Sequence, residues 1–414
     1  MGHETMTIPP SILLDRRAVV AGGLAILATG RAKAAPQSPA FAKWVEAFRP
    51  RALARGISDA TYTRVMGAVE PDTSVYAEQR NQPEFREPTW KYINRRTSAW
   101  RIATGKARVQ SHAALLDRIE ADYGVDRYVM LGLWGMESAF GEVITDRRYM
   151  RPVIPALAAL AYGEPRRRAY WEAELLNALV IIERKWSTPA EMIGSWAGAM
   201  GHTQWMPEVW LHMGVDYDKD GRVTPFGDPG DAFAGTARYL VERGKYRRGE
   251  GWGCEVRLPA GFNTGLPARM IAAWRALKVA TADGRAFPPD NLSAKLWVPV
   301  PGGPAFLLTQ NFFAVRSYNP SHNYVLALVH LGDRIKGENA FVQQFPGGER
   351  ILTLQEMQEV QSRLAALGYD PGARDGRIGR ETIMAVADFQ KKIGMAPPDG
   401  YPTLAVLAKL RETR

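Results

Sequence analysis

A single glutamate, Glu137, lies in an otherwise apolar stretch, residues 126–141, in which Asp126 is the only other acidic residue. Its nearest neighbours in the sequence include leucine, tryptophan, methionine and phenylalanine. Burial among such side chains penalises an ionised carboxylate, so we expect the pKa of Glu137 to rise. A carboxyl group that stays protonated near neutral pH can donate a proton to a leaving group. The alternative is a glutamate at a helix end with its side chain in solvent.

Cleavage of a glycosidic bond requires such a proton donor, and usually a second carboxylate unless the substrate supplies that group itself. The nearest candidates for a second carboxylate are Glu142 and Asp146, and they are followed by Arg147 and Arg148. We expect these acids to be solvated or salt-bridged. The sequence therefore favours a mechanism with one carboxylate.

A second group of candidate residues lies in the small and aromatic segment 195–207. Ser195 and Gln204 can hydrogen-bond the hydroxyl and amide groups of a sugar, and Trp196, Trp205 and Trp210 offer flat faces for pyranose rings. The alternative is a tightly packed pair of alanine- and glycine-rich helices with the tryptophans in the core. His202 is interpreted as structural rather than catalytic.

An aspartate-rich loop that resembles the start of an EF-hand begins at Asp216. Glycine stands at loop position 6, as in EF-hands, but Gly227 occupies position 12 in place of the usual bidentate glutamate. Asp228 or Asp231 would have to supply that last ligand. The expected oxygen ligands are Asp216, Asp218, Asp220, the backbone carbonyl of Arg222, and Asp231. We expect calcium or another small cation, and the alternative is an aspartate-rich turn without an ion.

The elements that position these residues are mainly helical. Apolar residues at helical spacing predict helices near residues 41–48, 170–185 and 323–335, and a long helical run from Ser111 into the stretch around Glu137. Short alternating runs between glycine and proline turns predict a small β subdomain over residues 251–304. The fold class is therefore mainly α, an α+β catalytic core with a small β subdomain.

The C-terminal residues predict a separate module. Residues 343–350 read as a linker, and Thr353 with Glu356 forms a capping-box pattern ahead of an apolar stripe. Two further short amphipathic helices follow, with turns at Asp375-Gly376 and Asp399-Gly400. Three short helices over residues 351–414 are typical of a binding module rather than a second enzyme.

Residues 1–34 predict an export signal with an arginine pair at Arg16-Arg17, a mildly apolar run and a small-residue cleavage site. The arginine pair favours the twin-arginine route, and the general secretory route stays open. The net charge of +10 suits an anionic polymer such as cell-wall material, and no nucleic-acid-binding motif is present. Cys254 is the only cysteine, which excludes an internal disulfide and a lipid anchor at the cleavage site, and we expect it to be a buried side chain rather than a nucleophile.

Together these motifs resemble the family B lytic murein transglycosylases, in their order and spacing, over most of residues 40–340. The matching segments are Gly132–Gly141, Pro165–Arg167, Ser195–Pro207, the Asp216 loop and Tyr318–Tyr324. Residues 351–414 resemble the three-helix peptidoglycan-binding domain through Leu367-Gly368-Tyr369, Asp375-Gly376, Phe389-Gln390 and Asp399-Gly400.

This resemblance implies a lysozyme-like catalytic domain over residues 35–342 that cleaves the bond between N-acetylmuramic acid (MurNAc) and N-acetylglucosamine (GlcNAc). Glu137 would act as acid and then as base, the N-acetyl group would replace a second carboxylate, and a 1,6-anhydromuramyl end would form without a cofactor. Arg166 and Arg167 would contact the peptide stem or the lactyl carboxylate. The groove would be lined by Ser195, Gln204, Tyr318, Asn319 and Tyr324, and by Tyr92, which is placed only by its distance from Glu137.

The same resemblance implies a soluble periplasmic enzyme without a membrane anchor, with glycan strands as its partner and with wall-synthesis or division proteins as further partners. Two alternatives remain open at this point. One is a hydrolytic muramidase that uses Glu137 and water. The other is an inactive scaffold that binds the cell wall.

Overall fold

The computed structural model describes residues 38–80 and 87–413, so the predicted export signal lies outside the described residues. The helices are α1 (Pro39–Ala54), α2 (Asp59–Met66), α3 (Val75–Arg80), α4 (Thr89–Arg96), α5 (Ala99–Ser111), α6 (Ala113–Tyr123), α7 (Arg127–Ser138), α8 (Val153–Gly163), α9 (Arg168–Glu183), α10 (Pro207–Met213), α11 (Gly230–Glu242), α12 (Ile271–Ala276), α13 (Gln310–Arg316), α14 (His322–Lys336), α15 (Leu354–Ala366), α16 (Arg380–Lys392) and α17 (Leu404–Glu412). The strands are β1 (Arg151–Pro152), β2 (Ile193–Gly194), β3 (Gly253–Arg257), β4 (Arg269–Met270), β5 (Ala280–Thr281), β6 (Ser293–Trp297) and β7 (Ala305–Leu308). The predicted fold class is confirmed, since helices dominate and the sheets are small.

The centre of the catalytic core is an antiparallel pair of helices, α7 and α14. Both helices are buried along most of their length, because their sequences are apolar on nearly every face. Glycines allow the close approach: a Cβ atom on Gly132 would lie 2.5 Å from the carbonyl oxygen of Leu328, and one on Gly332 would lie 2.5 Å from that of Tyr128. The pair therefore depends on glycine where the backbones meet.

Helix α7 is a separate element with its own start and stop signals. The Asp126 side chain caps its start by accepting from the backbone N–H of Tyr128 at 2.6 Å. At its end, Ala139 and Phe140 have positive φ angles of 52° and 61°, followed by Gly141 at 87°. The prediction of a long helical run from Ser111 into the stretch around Glu137 is wrong, because two helices are present. Gly124 takes the left-handed conformation and ends α6, and α7 begins at Arg127.

The predicted β subdomain is present as a five-stranded antiparallel sheet in the order β4-β6-β7-β3-β5. The sheet has its own apolar core around Trp274 and Leu307, both fully buried. Cys254 lies in β3, where burial raises its pKa to about 12. A thiol with this pKa is a poor nucleophile, in agreement with the sequence interpretation.

Residues after 350 form a three-helix unit, α15–α17, with a core of its own around Val360, Phe389 and Leu407. The predicted capping box is formed, because Thr353 and Glu356 each accept from the other's backbone N–H. In residues 38–80 and 87–413, no helix is long and apolar enough to cross a membrane.

Candidate active site

Glu137 lies in the last turn of α7 and is 5% exposed. Tyr324, in the first turn of α14, donates its hydroxyl to Oε1 of Glu137. Burial raises the pKa of Tyr324 well above its ordinary value, and the negative charge of Glu137 raises it further. Tyr324 therefore remains a hydrogen-bond donor to this carboxyl group over the physiological pH range.

The segment 195–205 is a compact loop rather than a helix pair. A bridge between Met200 and Trp205 closes it, and Gly198 and Gly201 take positive φ angles of 85° and 73° at its turns. The Ser195 hydroxyl oxygen accepts from the backbone N–H groups of Ala197 and Ala199, at 3.3 and 3.2 Å. Ser195 thus stabilises the loop from within and retains its own O–H as a donor.

His202 fixes this loop to α7. Its Nδ1 accepts from Trp134 Nε1 at 3.0 Å, and its Nε2 donates to the carbonyl oxygen of Gly227 at 2.8 Å. Burial lowers the pKa of His202, so the ring is neutral, as this pair of contacts requires. The Ser138 hydroxyl also donates to the His202 carbonyl oxygen at 2.7 Å. From the sequence, His202 is interpreted as structural. Ser138 was not identified there as a site residue, because only its position next to Glu137 indicates a role.

Gln204 presents an unused acceptor in this loop. Its backbone has a positive φ of 55°, and its Nε2 donates to the carbonyl oxygen of Gly201 at 2.9 Å. Within residues 38–80 and 87–413, its buried Oε1 has no hydrogen-bond partner. A buried carbonyl without a donor costs free energy, so this atom is suited to receive an N–H from a ligand.

The other predicted groove residues gather around Tyr324. The Tyr318 hydroxyl donates to the carbonyl oxygen of Thr203, in the loop that holds Gln204. Asn319 Oδ1 accepts from Ser321 N–H at 3.0 Å and so shapes the entry into α14. Tyr92, on α4, is 1% exposed, and both it and Tyr318 contribute to the raised pKa of Tyr324.

Arg166 and Arg167 form a single 3-10 turn before α9. Glu164 caps this turn by accepting from the Arg166 backbone N–H at 3.0 Å. The Arg167 guanidinium lies over the rings of Tyr170 and Trp171, at 4.3 and 4.8 Å from their centroids. Arg166 is exposed, so its guanidinium is accessible to an anion.

Two of the three tryptophans proposed as sugar platforms belong to the core. Trp205 and Trp210 are almost fully buried, and their indole N–H groups bond to Thr236 and to the Val223 carbonyl. The sugar-platform interpretation is wrong for these two residues, whereas Trp196 keeps partial exposure.

The acids that follow Glu137 are engaged in ion pairs, as expected from the sequence. Glu142 pairs with Arg108 at 3.1 Å, and Asp146 pairs with Arg148 at 2.7 Å. Neither of these carboxylates matches Glu137 in its burial.

Three carboxylates of the aspartate loop converge. Ligand atoms of Asp216, Asp218 and Asp231 lie within 4.8 Å of one another, and Asp216 Oδ1 is buried without a hydrogen-bond partner in the described part of the chain. Burial, opposed by two backbone hydrogen bonds, raises the pKa of Asp231. Hard oxygen donors in this arrangement fit Ca²⁺. Asp220 is not one of these three residues, and its Oδ1 accepts from the backbone N–H of Arg222 at 2.8 Å.

A buried acid at a helix end, in a mainly helical core that carries a separate three-helix module, is the arrangement that the sequence resemblance predicts for a lysozyme-like glycan-cleaving enzyme. The chain belongs to the transglycosylase SLT domain family, whose model matches residues 40–333. A peptidoglycan-binding domain model matches residues 353–410. The family prediction made from the sequence motifs is therefore confirmed.

Solved and curated relatives agree with this assignment. SltB3 from Pseudomonas aeruginosa, solved in complex with NAG-anhNAM-pentapeptide, is 40% identical, with a TM-score of 0.69, 90% of this chain covered and 100% of SltB3. The membrane-bound lytic murein transglycosylase B of Escherichia coli is 28% identical over 66% of this chain and 73% of its own length. The E. coli lytic transglycosylase Slt35, solved in complex with calcium, shares the fold at 23% identity, with a TM-score of 0.60, 72% of this chain covered and 93% of Slt35.

Proposed function

We propose that this lytic transglycosylase cleaves the MurNAc-β-1,4-GlcNAc bond of peptidoglycan with Glu137 as its single acid and base. The observation that carries the proposal is the contrast among neighbouring acids. Glu137 is buried and receives a hydrogen bond from Tyr324, whereas Glu142 and Asp146 are held by arginines. A carboxylate held in a salt bridge is poorly suited to deliver a proton.

The reaction needs one proton donor that is recovered at the end of the cycle. Glu137 protonates the glycosidic oxygen as the bond to the muramyl anomeric carbon breaks, and GlcNAc leaves with its hydroxyl restored. The carbonyl oxygen of the muramyl N-acetyl group stabilises the anomeric carbon. The 6-hydroxyl then attacks that carbon while the Glu137 carboxylate takes its proton. This closes the 1,6-anhydro ring without water and regenerates the acid.

The surrounding groups fit the polar parts of such a substrate. The free Oε1 of Gln204 would accept an amide N–H from an N-acetyl group, and the Ser195 hydroxyl would donate to a sugar oxygen. Tyr92, Tyr318 and Asn319 would form the walls of the groove. Arg166 and Arg167 would meet the peptide stem or the lactyl carboxylate, since a guanidinium pairs well with a carboxylate.

The relatives support this reaction rather than hydrolysis. SltB3 was solved with a ligand whose muramyl sugar is in the anhydro form. Mass spectrometry of digested sacculi tests the proposal directly. We expect 1,6-anhydromuramyl ends with no added water, and reducing ends that carry an added water would instead establish a hydrolytic muramidase.

We further propose that the Asp216 loop binds Ca²⁺ as a structural ion. The support is the convergence of Asp216, Asp218 and Asp231 and the unpaired Asp216 oxygen. The carbonyl of Arg222 would add a neutral ligand, as at position 7 of an EF-hand loop. Calcium should raise the melting temperature of the wild type, because an ion that binds only the folded state stabilises it.

Asp216→Ala should abolish this rise. Asp388→Ala is the matched control, since it removes an exposed carboxylate of the C-terminal module, outside the aspartate loop, and should keep the rise. Absence of a rise in the wild type, or an equal loss in both variants, contradicts the assignment.

The substrate also sets the expected location. We propose export to the periplasm through the N-terminal segment, where glycan strands and wall-synthesis or division proteins are the partners. Detection of the processed chain in a periplasmic fraction tests this step.

A further inference from the structure

His202 contacts the C-terminal end of α7 at three positions that lie on both sides of Glu137. Trp134 Nε1 donates to the ring Nδ1 of His202 at 3.0 Å, and the Ser138 hydroxyl donates to its backbone carbonyl oxygen at 2.7 Å. The third position is Gly141, where a Cβ atom would lie 3.0 Å from the same Nδ1 atom. The ring and the backbone of His202 are therefore both fixed against the segment that carries the proposed acid.

The aspartate loop holds the other two polar groups of His202. The backbone N–H of His202 donates to the Pro225 carbonyl oxygen at 2.9 Å, and its ring Nε2 donates to the Gly227 carbonyl oxygen at 2.8 Å. The two segments approach closely, since a Cβ atom on Gly201 would lie 2.1 Å from the Pro225 carbonyl oxygen. All four hydrogen-bonding groups of His202 are thus used, two toward α7 and two toward the aspartate loop.

The turn that contains His202 also places Gln204. The backbone groups of Met200 and Trp205 pair in both directions at 2.8 Å, and the Gln204 N–H donates to the Gly201 carbonyl oxygen at 3.3 Å. His202 is thus a central residue of a four-residue turn that is closed at its base. The position of His202 therefore determines where Gln204, two residues further on, lies relative to α7.

A histidine ring is suited to this position because it offers an acceptor and a donor at a fixed separation. With its proton on Nε2, the neutral ring accepts at Nδ1 and donates at Nε2, as the contacts with Trp134 and Gly227 require. An asparagine carries its amide oxygen near the position of Nδ1, so it can keep the contact with Trp134 but not the contact with Gly227. An alanine keeps neither contact.

We propose that His202 is a positioning residue for the transglycosylase reaction, and that its contact with Trp134 holds Gln204 at a fixed distance from Glu137. This rests on the proposed function, in which Glu137 donates the proton and Gln204 binds an N-acetyl group of the substrate. A sugar held at Gln204 presents its glycosidic oxygen to Glu137 only if that distance is maintained. Catalysis is sensitive to such placement, since a shift of about 1 Å can lower a rate about 100-fold.

His202→Ala in the full-length chain tests the proposal on soluble glycan strands. The pairing of Met200 with Trp205 keeps the loop closed, so we expect kcat to fall about 100-fold while KM stays close to the wild-type value. His202→Asn restores an acceptor for Trp134 and should recover most of the lost kcat. In a Gln204→Ala background, His202→Ala should lower kcat much less than it does in the wild type, because the group that it positions is absent.

His330→Ala is the matched control, since His330 on α14 is also 6% exposed and its ring stacks on Phe341 instead. This control should lower the melting temperature without lowering kcat, and all rates are measured well below the melting temperature of every variant. A wild-type kcat in His202→Ala, an equal loss in His330→Ala, no recovery in His202→Asn, or the same fold-loss with and without Gln204 overturns the proposal. Failure of the proposed reaction is recognised separately, by reducing ends among the products or by full activity of Glu137→Gln.

Discussion

The two ends of the α7–α14 pair each hold an acid that accepts a hydrogen bond from an aromatic side chain, Glu137 being buried and Asp333 half-buried. At one end, Tyr324 donates to Glu137. At the other end, Trp252 Nε1 donates to Asp333 Oδ2 at 2.9 Å, and burial raises the pKa of Asp333 to about 7. By the criterion of a perturbed pKa alone, Asp333 is a candidate for an acid catalyst.

The difference lies in what surrounds each acid. Asp333 lines a cavity of about 410 Å³ beside the β subdomain, where the nearby Glu255 is satisfied by backbone N–H groups of residues 342 and 343. Glu137 instead faces a loop in which Gln204 keeps a buried acceptor unused. A catalytic site needs groups that are completed by the substrate, so this contrast supports Glu137 rather than Asp333 as the proposed acid.

The largest expected difference in activity between the two ends of the helix pair comes from replacing each acid by its amide. Glu137→Gln removes the proton donor, so we expect the rate of muropeptide release to fall about 10³-fold, within the range of general acid–base catalysis. Asp333→Asn keeps an oxygen that can accept from Trp252 and should leave the rate close to that of the wild type. Release from purified sacculi under initial-rate conditions measures both.

Equal melting temperatures would show that Glu137→Gln is folded. Release by this variant at the wild-type rate would remove Glu137 from the reaction and favour a wall-binding scaffold. A large loss of activity in Asp333→Asn, with an unchanged melting temperature, would show that the end of the helix pair beside the cavity is functional. That result would contradict the contrast drawn between Glu137 and Asp333.

Part of this difference was predictable from the sequence, and part was not. The apolar residues around Glu137 are contiguous in the chain, so its burial could be predicted locally. Tyr324 lies 187 residues away, and it was identified only through the family resemblance. Asp333 gave no signal, because its burial depends on Trp252, 81 residues away in the β subdomain.

The same limit explains the errors at the other sites. Trp205 and Trp210 have the residue type of a sugar platform, but tertiary packing decides which face of a ring is exposed, and both are in the core. In the aspartate loop, the alternating pattern indicated Asp216, Asp218 and Asp220, and the structure brings the first two together with Asp231. Their role as ion ligands stays a prediction.

Removing the aromatic hydrogen-bond donor to each acid is the next test of the contrast between Glu137 and Asp333. Tyr324→Phe deletes the hydroxyl that orients the Glu137 carboxyl group, and we expect kcat to fall about tenfold, since a hydrogen bond to a charged group contributes roughly 1.5–3 kcal/mol. Trp252→Phe deletes the corresponding donor to Asp333 and should lower the melting temperature without lowering kcat. Steady-state kinetics and thermal unfolding of both variants give the two readouts. A lower kcat in Trp252→Phe, or an unchanged kcat in Tyr324→Phe, would contradict the assignment of the catalytic end.

The last expected effect concerns stability rather than activity and is a pH dependence at the Asp333 end. The folded pKa of about 7 lies above the ordinary 3.8, so between these values the folded state holds a proton that the unfolded state has lost. Stability from this group therefore falls as pH rises from about 4 to about 7 and is constant above that. Asp333→Asn has no such proton to lose, so relative to the wild type it should gain about 3 kcal/mol between pH 4.5 and pH 8. Glu338, Lys336 and Asp126 also act on this carboxyl group but are present in both proteins, so they largely cancel in the comparison.

Thermal unfolding of both proteins at the two pH values measures the difference in stability. A difference that does not change with pH would show that Asp333 is ionised in the folded protein.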